Sequence, residues 1–399
     1  MKILIIADCY PPMKTSAAVM LEDLALEILK SGHLPIVIVP DPELVEPFII
    51  ESLNGVDIYR VACLKTKDVG YIRRTISEFL MPFIIRKRLA KSGLFDIKVE
   101  GLIWYSPTIF FGPLIKILKK TYKCKTYLVL RDIFPEWAVD LGIMKKGVAY
   151  KLFKLVESYQ YSLADRIGVQ TPANITYFNK NYSYLKNEIE VLHNWLTPAK
   201  IDYCSIKIEE TFLAGRKIFV YAGNMGKAQD MLPFVKVMEK IDKSRDDIGV
   251  LFVGRGSEVE IFRKTSIEKN LTNVIIHDEI NNSEISGLYD QCHFGLVFLD
   301  SRHTTHNIPG KFISYMHFGL PTLAFVNKGN DLFDVINSES LGKAFYGIDT
   351  KSVSSDIVEM ADNQLYIDEV PEKCREFSKK YFSSFSAANQ ILRFLKEYN

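Results

Sequence analysis

Short unbroken apolar runs alternate along this chain with longer stretches whose apolar residues recur three or four positions apart. The first run, ILIIA (Ile3–Ala7), has no polar member, as expected of a parallel strand covered on both faces. After the turn DCYPPMKTS a helix is predicted near Ala17–Lys30. Leu21, Leu24, Ile28 and Leu29 share one face of it, Thr15 or Ser16 caps it and Gly32 ends it. LPIVIVP (Leu34–Pro40) is the next strand, and VDIYRV, Lys98–Tyr105, TYLVLRD, DRIGVQT and IEVLHN follow with helical stretches between them. Strands and helices in strict alternation build a doubly wound sheet.

The alternation lapses over Pro198–Gly215, a polar, mixed segment read as a linker, and then restarts. IFVYAG (Ile218–Gly223), a helix through Met231–Ile241, IGVLFVG (Ile248–Gly254), a helix through Val259–Lys269 and VIIH come first. A helix around Ser283–Gln291, FGLVFL (Phe294–Leu299), a helix near Lys311 and PTLAFV (Pro321–Val326) complete the series. The pattern predicts an α/β chain of two Rossmann-like, doubly wound domains, residues 1–199 and 200–382, facing each other across a cleft. Ligands are then expected outside the carboxyl ends of the strands. The tail after Phe382, SAANQILRFLKEY, reads as one more helix.

Composition adds an asymmetry. The chain is 48% hydrophobic and 25% charged with a net charge of only +2, yet residues 1–200 carry +7 and the remainder −5. A basic half and an acidic half are expected to meet different partners. The six cysteines are scattered without a CxxC pair or a close Cys/His set, which argues against a zinc site and a disulfide framework and fits a reducing cytoplasm. No apolar run approaches the ~18 residues of a membrane span, and the run at the N-terminus stops at Asp8.

Three turns carry candidate chemistry in the second half. AGNMGKAQD joins a strand to a helix. Gly223 and Gly226 permit close backbone approach, Asn224 lies between them, the helix start offers N–H groups and Lys227 supplies a cation for a diphosphate. VGRGSEVE repeats the device one β/α unit later with Gly254, Arg255 and Gly256. In HNIPGKFISYMHFGLPTLAF, Asn307 is a candidate cap, Pro309 suits the first turn, and Lys311 stands where the helix dipole disfavours a cation, so an anion is its expected partner. Ordinary strand–helix turns with solvated side chains have the same sequences.

In the first half, SPTIFFGP and LRDIFPEWAVD follow apolar strands. Arg131 and Asp132 occupy a strand end, where a structural contact is the simpler reading, and Glu136 and Trp137 are candidates to line a sugar pocket. Lys65–Ser92 sets Arg73, Arg74, Arg86, Lys87, Arg88 and Lys91 around Phe79–Met81 and Phe83–Ile85, with Pro82 expected to kink it. That composition suits contact with anionic lipid, and it also suits a core-packed helix with a solvated basic end. No nucleic-acid motif accompanies the charge.

Taken together, YSPTIFFGP, LRDIFPEWAVDLGIMKKG, GVQTPANITYF, VLHNW, YAGNMGKAQ and IPGKFISYMHFGLPTLA resemble the WbuB-like bacterial glycosyltransferases of family 4, which include L-fucosamine transferases. The likeness spans nearly the whole chain. It implies a GT-B fold whose last helix, residues 383–399, crosses back onto the first domain, and a retaining transfer that needs no metal and no other cofactor. The donor it implies is a UDP-linked N-acetylated amino or 6-deoxy sugar. The acceptor would be an undecaprenyl-diphosphate-linked saccharide at the inner face of the plasma membrane, in O-antigen or capsular polysaccharide assembly.

By the same resemblance, Gly223, Asn224, Gly226, Lys227, Gly254, Arg255, His306, Asn307, Ile308, Pro309, Lys311 and Ser314 line the donor site. Lys227 and Lys311 would carry the diphosphate with Arg131 and Asp132 as further catalytic candidates, and Ser16, Tyr105, Ser106 and Glu136 would face the acceptor. The family's two glutamates, with seven residues between them, are replaced here by His306 and Ser314, and its first-domain histidine by Tyr105 and Ser106. Two other functions remain open, a non-hydrolysing UDP-sugar 2-epimerase and an inactive nucleotide-sugar-binding scaffold. A dinucleotide oxidoreductase is disfavoured, since no GxGxxG follows the first strand.

Overall fold

The structure is a computed structural model that describes residues 1–140, 142–197, 201, 203–300 and 308–397. It divides into two units, Met1–Trp195 with Ser383–Asn399, and Leu196–Phe382.

The first unit holds strands β1 (Lys2–Ile6), β2 (Leu34–Asp41), β3 (Phe48–Leu53), β4 (Val56–Ala62), β5 (Gly101–Ser106), β6 (Lys125–Leu130), β7 (Arg166–Val169) and β8 (Glu188–Val191). Their order across the sheet is β3-β4-β2-β1-β5-β6-β7-β8. All pairs are parallel except β3 with β4, so the all-apolar runs become inner strands while one hairpin closes the edge. The hairpin turns on Asn54 and Gly55 at φ 53° and 83°, the two positive angles that a two-residue type I′ turn requires.

One apolar layer covers each face of this sheet. On one of them the Ser16–Lys30 helix, capped by the Thr15 hydroxyl rather than by Ser16, buries Leu21, Leu24 and Ile28. The Ser384–Lys396 helix lies beside it, with Ile391, Leu392 and Leu395 in the same cluster as Ile3 and Leu21. Three long-range hydrogen bonds fasten this region: Lys125 Nζ to Phe394 O at 3.1 Å, Gln390 Nε2 to Val191 O at 2.8 Å and Trp195 Nε1 to Met20 O at 2.8 Å.

The second unit is a six-stranded, wholly parallel sheet of β9 (Lys217–Ala222), β10 (Ile248–Val253), β11 (Val274–His277), β12 (Phe294–Phe298), β13 (Thr322–Val326) and β14 (Gly342–Tyr346). Their order is β11-β10-β9-β12-β13-β14. Chain order reverses between β9 and β12 here, and between β1 and β5 in the first unit, which marks the place outside the strand ends where such sheets bind ligands. The helix expected through Met231–Ile241 begins three residues later, as Phe234–Asp242 with Pro233 at its N-cap, because proline lacks the N–H that would continue a helix across it, and a separate 3-10 turn Lys227–Gln229 precedes it. Both units are thus doubly wound α/β folds, as the apolar runs predict.

Candidate functional site

In the second unit the site is set by the Gly310–Phe318 helix. Its Tyr315 is fully buried, lies flat over Gly295 of β12, and donates its hydroxyl to Leu296 O and Val220 O at 3.1 and 3.2 Å. Lys311, one turn earlier on the same face, is thereby carried to the end of β9. There its Nζ sits 4.9 Å from the centre of the Tyr221 ring, in the space a side chain on Gly223 would occupy, 2.8 Å from that virtual Cβ. Among the described residues no carboxylate pairs with this ammonium, and burial lowers its pKa below the ordinary 10.5. A half-buried cation with no carboxylate partner among the described residues, at the switch point of a parallel sheet and in the first turn of a helix, has the charge and the neighbouring N–H groups that an anion would need.

The turns after β9 and β10 lock together backbone to backbone. Met225 N donates to Arg255 O at 2.7 Å, and Glu258 N donates to Met225 O at 3.0 Å. Gly254 and Gly256 hold φ of 156° and 151°, and a Cβ on them would fall 1.9 Å from Gly223 O and 2.3 Å from Met225 O. This close approach is why glycine stands there. One expectation needs amending: the Gly226 N–H is not open, since Gln229 Oε1 accepts from it at 3.0 Å and also from Asn224 Nδ2 at 3.0 Å. Gln229 escapes a search for glycines and cations, although its place three residues after Gly226 is that of a capping side chain.

Lys227 is exposed at the head of the 3-10 turn, and its side chain has no hydrogen bond or ion pair among the described residues. Arg255 points its guanidinium at Glu279, with Nε 3.0 Å from one carboxylate oxygen. Ile308 is buried, Pro309 precedes the helix as its cap, and Ser314 Oγ returns a hydrogen bond to Gly310 O at 3.2 Å. His306 and Asn307 lie outside the described residues.

In the first unit, three of the sequence motifs meet in a structural clamp. Arg131, 6% exposed, donates through Nη1 to Leu192 O at 2.9 Å and packs against the Trp195 ring, and its own carbonyl accepts from Gln170 Nε2. Asn194 Nδ2 in turn donates to Gln170 Oε1 at 3.2 Å. Burial pulls the Arg131 pKa down to about 10. Arg131 therefore joins the ends of β6 and β8 through its guanidinium and the end of β7 through its carbonyl. Tyr105 and Ser106 are also inside, 6% and 0% exposed, with Ser106 Oγ directed to Thr108 O, while Ser16 is exposed in the first turn of its helix.

Beyond the ends of β5 and β6 lies a pocket of about 510 Å³, lined mainly by aromatic and aliphatic side chains, among them Phe110, Phe134, Trp137 and Phe153. Its polar members include Asp132 and the pair Arg74–Glu78, whose Nε–Oε1 distance is 2.7 Å. Glu78 also accepts from Thr108 Oγ1 at 2.8 Å. Asp132 is exposed by area, yet enough protein surrounds it to raise its carboxyl pKa, with Arg131 pulling the other way. Asp8, at the switch point after β1, has a buried Oδ1 without a hydrogen-bond partner and a pKa raised by burial, which Lys67 opposes. Its signal in the sequence is an acid directly after the first strand.

Glu136 is engaged within the fold. It accepts from Tyr150 Oη at 3.0 Å and pairs at 3.0 Å with Lys154, which also pairs at 2.6 Å with the fully buried Glu157. Tyr182 Oη donates to Glu157 at 2.5 Å. Desolvation outweighs these partners and lifts the Glu157 pKa from 4.5 to about 7. A carboxyl that holds its proton more tightly when folded stabilises fully below 4.5 and loses that contribution as pH rises through about 7. Urea unfolding is therefore expected to show stability falling by on the order of 2 kcal/mol across this interval. Glu157→Gln should flatten the slope.

Residues 216–363 match the family model described as Glycosyl transferases group 1. The second unit thus carries a group 1 glycosyltransferase domain. Among curated proteins, the chain is 23% identical over 269 residues to a probable glycosyltransferase, WbjE, of Pseudomonas aeruginosa, covering 64% of this chain and 66% of that protein. It is also 23% identical over 186 residues to a putative colanic acid biosynthesis glycosyl transferase, WcaI, of Escherichia coli K12, covering 44% and 45%. The chain spans just under two thirds of the first relative and under half of the second.

Among solved structures, sucrose-phosphate synthase from Thermosynechococcus elongatus superposes with a TM-score of 0.70 at 15% identity, over 99% of this chain and 98% of that one. Anabaena HepE, solved with UDP, does so with 0.63 at 12% over 99% of both. These neighbours establish the GT-B class of fold.

Proposed function

We propose that the protein is a retaining glycosyltransferase of family 4. It moves a sugar, N-acetylated amino or 6-deoxy, from a UDP donor to an undecaprenyl-diphosphate-linked saccharide in O-antigen or capsular polysaccharide assembly. The observation that carries this reading is Lys311, an ammonium without a carboxylate partner among the described residues, held against Gly223 and Tyr221 within the group 1 domain. Charge gathers on the leaving diphosphate as the sugar–phosphate bond breaks, and a cation in a partly dehydrated place stabilises that charge more than one in water. Lys227, four residues beyond Gly223 on the same turn, is assigned to the same diphosphate, and this charge balance needs no metal.

The transfer runs on one face of the sugar. The acceptor oxygen bonds to the anomeric carbon as the bond to phosphate breaks, the leaving phosphate oxygen takes the acceptor's proton, and no protein nucleophile takes part. Asp132 is the polar group on the acceptor side, with Arg131 as the positioning residue behind it. The HepE complex with UDP and the naming of WcaI for colanic acid biosynthesis support the donor and the pathway class. No described helix is long and apolar enough to cross a membrane, so contact with the lipid-linked acceptor falls to the basic, apolar segment 65–92 at a cytoplasmic membrane face.

The test is incubation of the full chain with a panel of UDP-sugars, with and without polyprenyl-diphosphate-linked saccharides. The expected result is UDP release that requires acceptor, in a product that keeps the donor's anomeric configuration. An epimerised UDP-sugar formed without acceptor would make the protein a 2-epimerase instead. A raised unfolding temperature with donor, and no turnover with any acceptor, would make it a scaffold.

A further inference from the structure

The helices Tyr71–Leu89 and Val148–Ser162 contribute walls to the pocket of the first unit, and each carries an apolar row that faces out of the protein. On the first helix Ile72, Ile76, Phe79 and Phe83 are 80, 52, 53 and 46% exposed; on the second Val148, Leu152, Leu155 and Tyr159 are 87, 57, 70 and 37% exposed. Both rows follow the spacing i, i+4, i+7, i+11, which keeps four side chains on one face of a helix. Neither row enters the core: the residues that do, Met81, Ile85 and Leu89 on the first helix and Tyr161 on the second, lie on other faces.

The charge around these rows has one sign. Across residues 71–92 and 143–162 the only acids are Glu78 and Glu157, against ten lysines and arginines. Both acids are turned inward, 9% and 0% exposed, and each is paired with a base of its own helix. A second copy of the chain fits this surface poorly. A two-fold contact sets a patch against itself, and here it would set ten positive charges against ten. An anionic lipid surface complements both the charge and the apolar rows.

The pocket adds what adsorption at a surface does not use. Its volume of about 510 Å³ lies in the range of small-molecule sites, roughly 300–1,000 Å³, and of its charged groups Arg74 and Glu78 are tied to each other, which leaves Asp132. We propose that this pocket seats one hydrocarbon chain of an anionic membrane lipid while the two helices rest on the bilayer. The pocket shares Asp132 with the proposed acceptor side, but lipid contact is read by quenching and sedimentation and not by sugar transfer, so failure of the one is distinguishable from failure of the other.

The protein contains its own reporter. Of its three tryptophans, Trp104 and Trp195 are 0% and 2% exposed, whereas Trp137 lines the pocket and is 37% exposed. The full chain is mixed with vesicles of phosphatidylglycerol bearing brominated acyl chains, and bromine quenching of tryptophan emission is read beside co-sedimentation. The expected result is loss of the Trp137 contribution, absent in Trp137→Phe and absent with phosphatidylcholine vesicles. Ile143→Asp, at a pocket-lining residue that is 50% exposed, should still sediment but lose the quenching. Leu152→Asp with Leu155→Asp should lose sedimentation itself.

Sedimentation without quenching, equal quenching in Ile143→Asp, or equal behaviour with phosphatidylcholine would overturn the proposal. So would failure to bind phosphatidylglycerol at all. Circular dichroism verifies that each variant is folded, and Met144→Asp, at a partly exposed lining residue outside both apolar rows, replaces Ile143→Asp if that variant is not.

Discussion

Lys311→Met is expected to cut sugar transfer by about 10²–10³-fold, the usual cost of removing one preorganised charge-stabilising group, while leaving the second unit as stable as before or more so. The two effects are opposed because the ammonium has no partner among the described residues and is partly desolvated. It costs stability until an anion arrives. Replacing such a charge by an apolar side chain of similar length is expected to be neutral or to stabilise by about 1 kcal/mol. The sign with pH follows. Burial depresses the folded-state pKa, so the unfolded chain binds this proton more tightly. The penalty is complete below the depressed value and is relieved as pH rises toward 10.5. Urea midpoints of the parent and the variant should therefore converge in alkaline solution. A variant that transferred sugar at the parent rate would remove Lys311 from the reaction.

Gly254→Ala is expected to give the largest loss of stability of any single methyl added to the second unit's site, about 3 kcal/mol. Two causes act together. The new Cβ would stand 1.9 Å from the Gly223 carbonyl oxygen, and φ of 156° is a conformation that L side chains rarely adopt. Since the obstacle is backbone rather than the end of a flexible side chain, relief requires separating two hydrogen-bonded turns. Gly310→Ala provides the contrast, because a Cβ there meets nothing within 4 Å, and its unfolding midpoint should match the parent's. Denaturant unfolding followed by circular dichroism suits both variants, the three tryptophans all lying in the first unit.

What could be read from the sequence was whatever local chemistry determines. The parallel inner strands were visible because burial on both faces leaves no polar position, as in Ile3–Ala7. The β3–β4 hairpin was as local, its Asn54–Gly55 pair being a strong turn signal, yet the strand before that turn alternates too weakly to stand out beside its neighbours. Lys311 could be singled out by its unfavourable place at a helix start. Its destination at Gly223 could not, since that depends on Tyr315 finding Gly295 across the sheet.

Arg131 shows the converse. Its motif marks it, but only the fold reveals that its donors go to Leu192 and His193 carbonyls at 2.9 and 3.4 Å. Of the apolar pocket, Trp137 could be marked as a lining candidate, but the pocket's extent could not, because segments from Tyr71 to Phe153 assemble it.

The Ser384–Lys396 helix has a consequence for biosynthesis. It completes the apolar layer of the first unit, with Leu395 filling the space beside Gly101 and Phe394 packed 5.8 Å from Tyr127. On the ribosome that helix emerges only after all of Leu196–Phe382 has been made. The half of the protein translated first therefore cannot complete its core until the other half has been made, and until then the part of the β1–β5–β6 sheet beside the Ser16–Lys30 helix stays uncovered, a natural client for a chaperone that holds nascent chains.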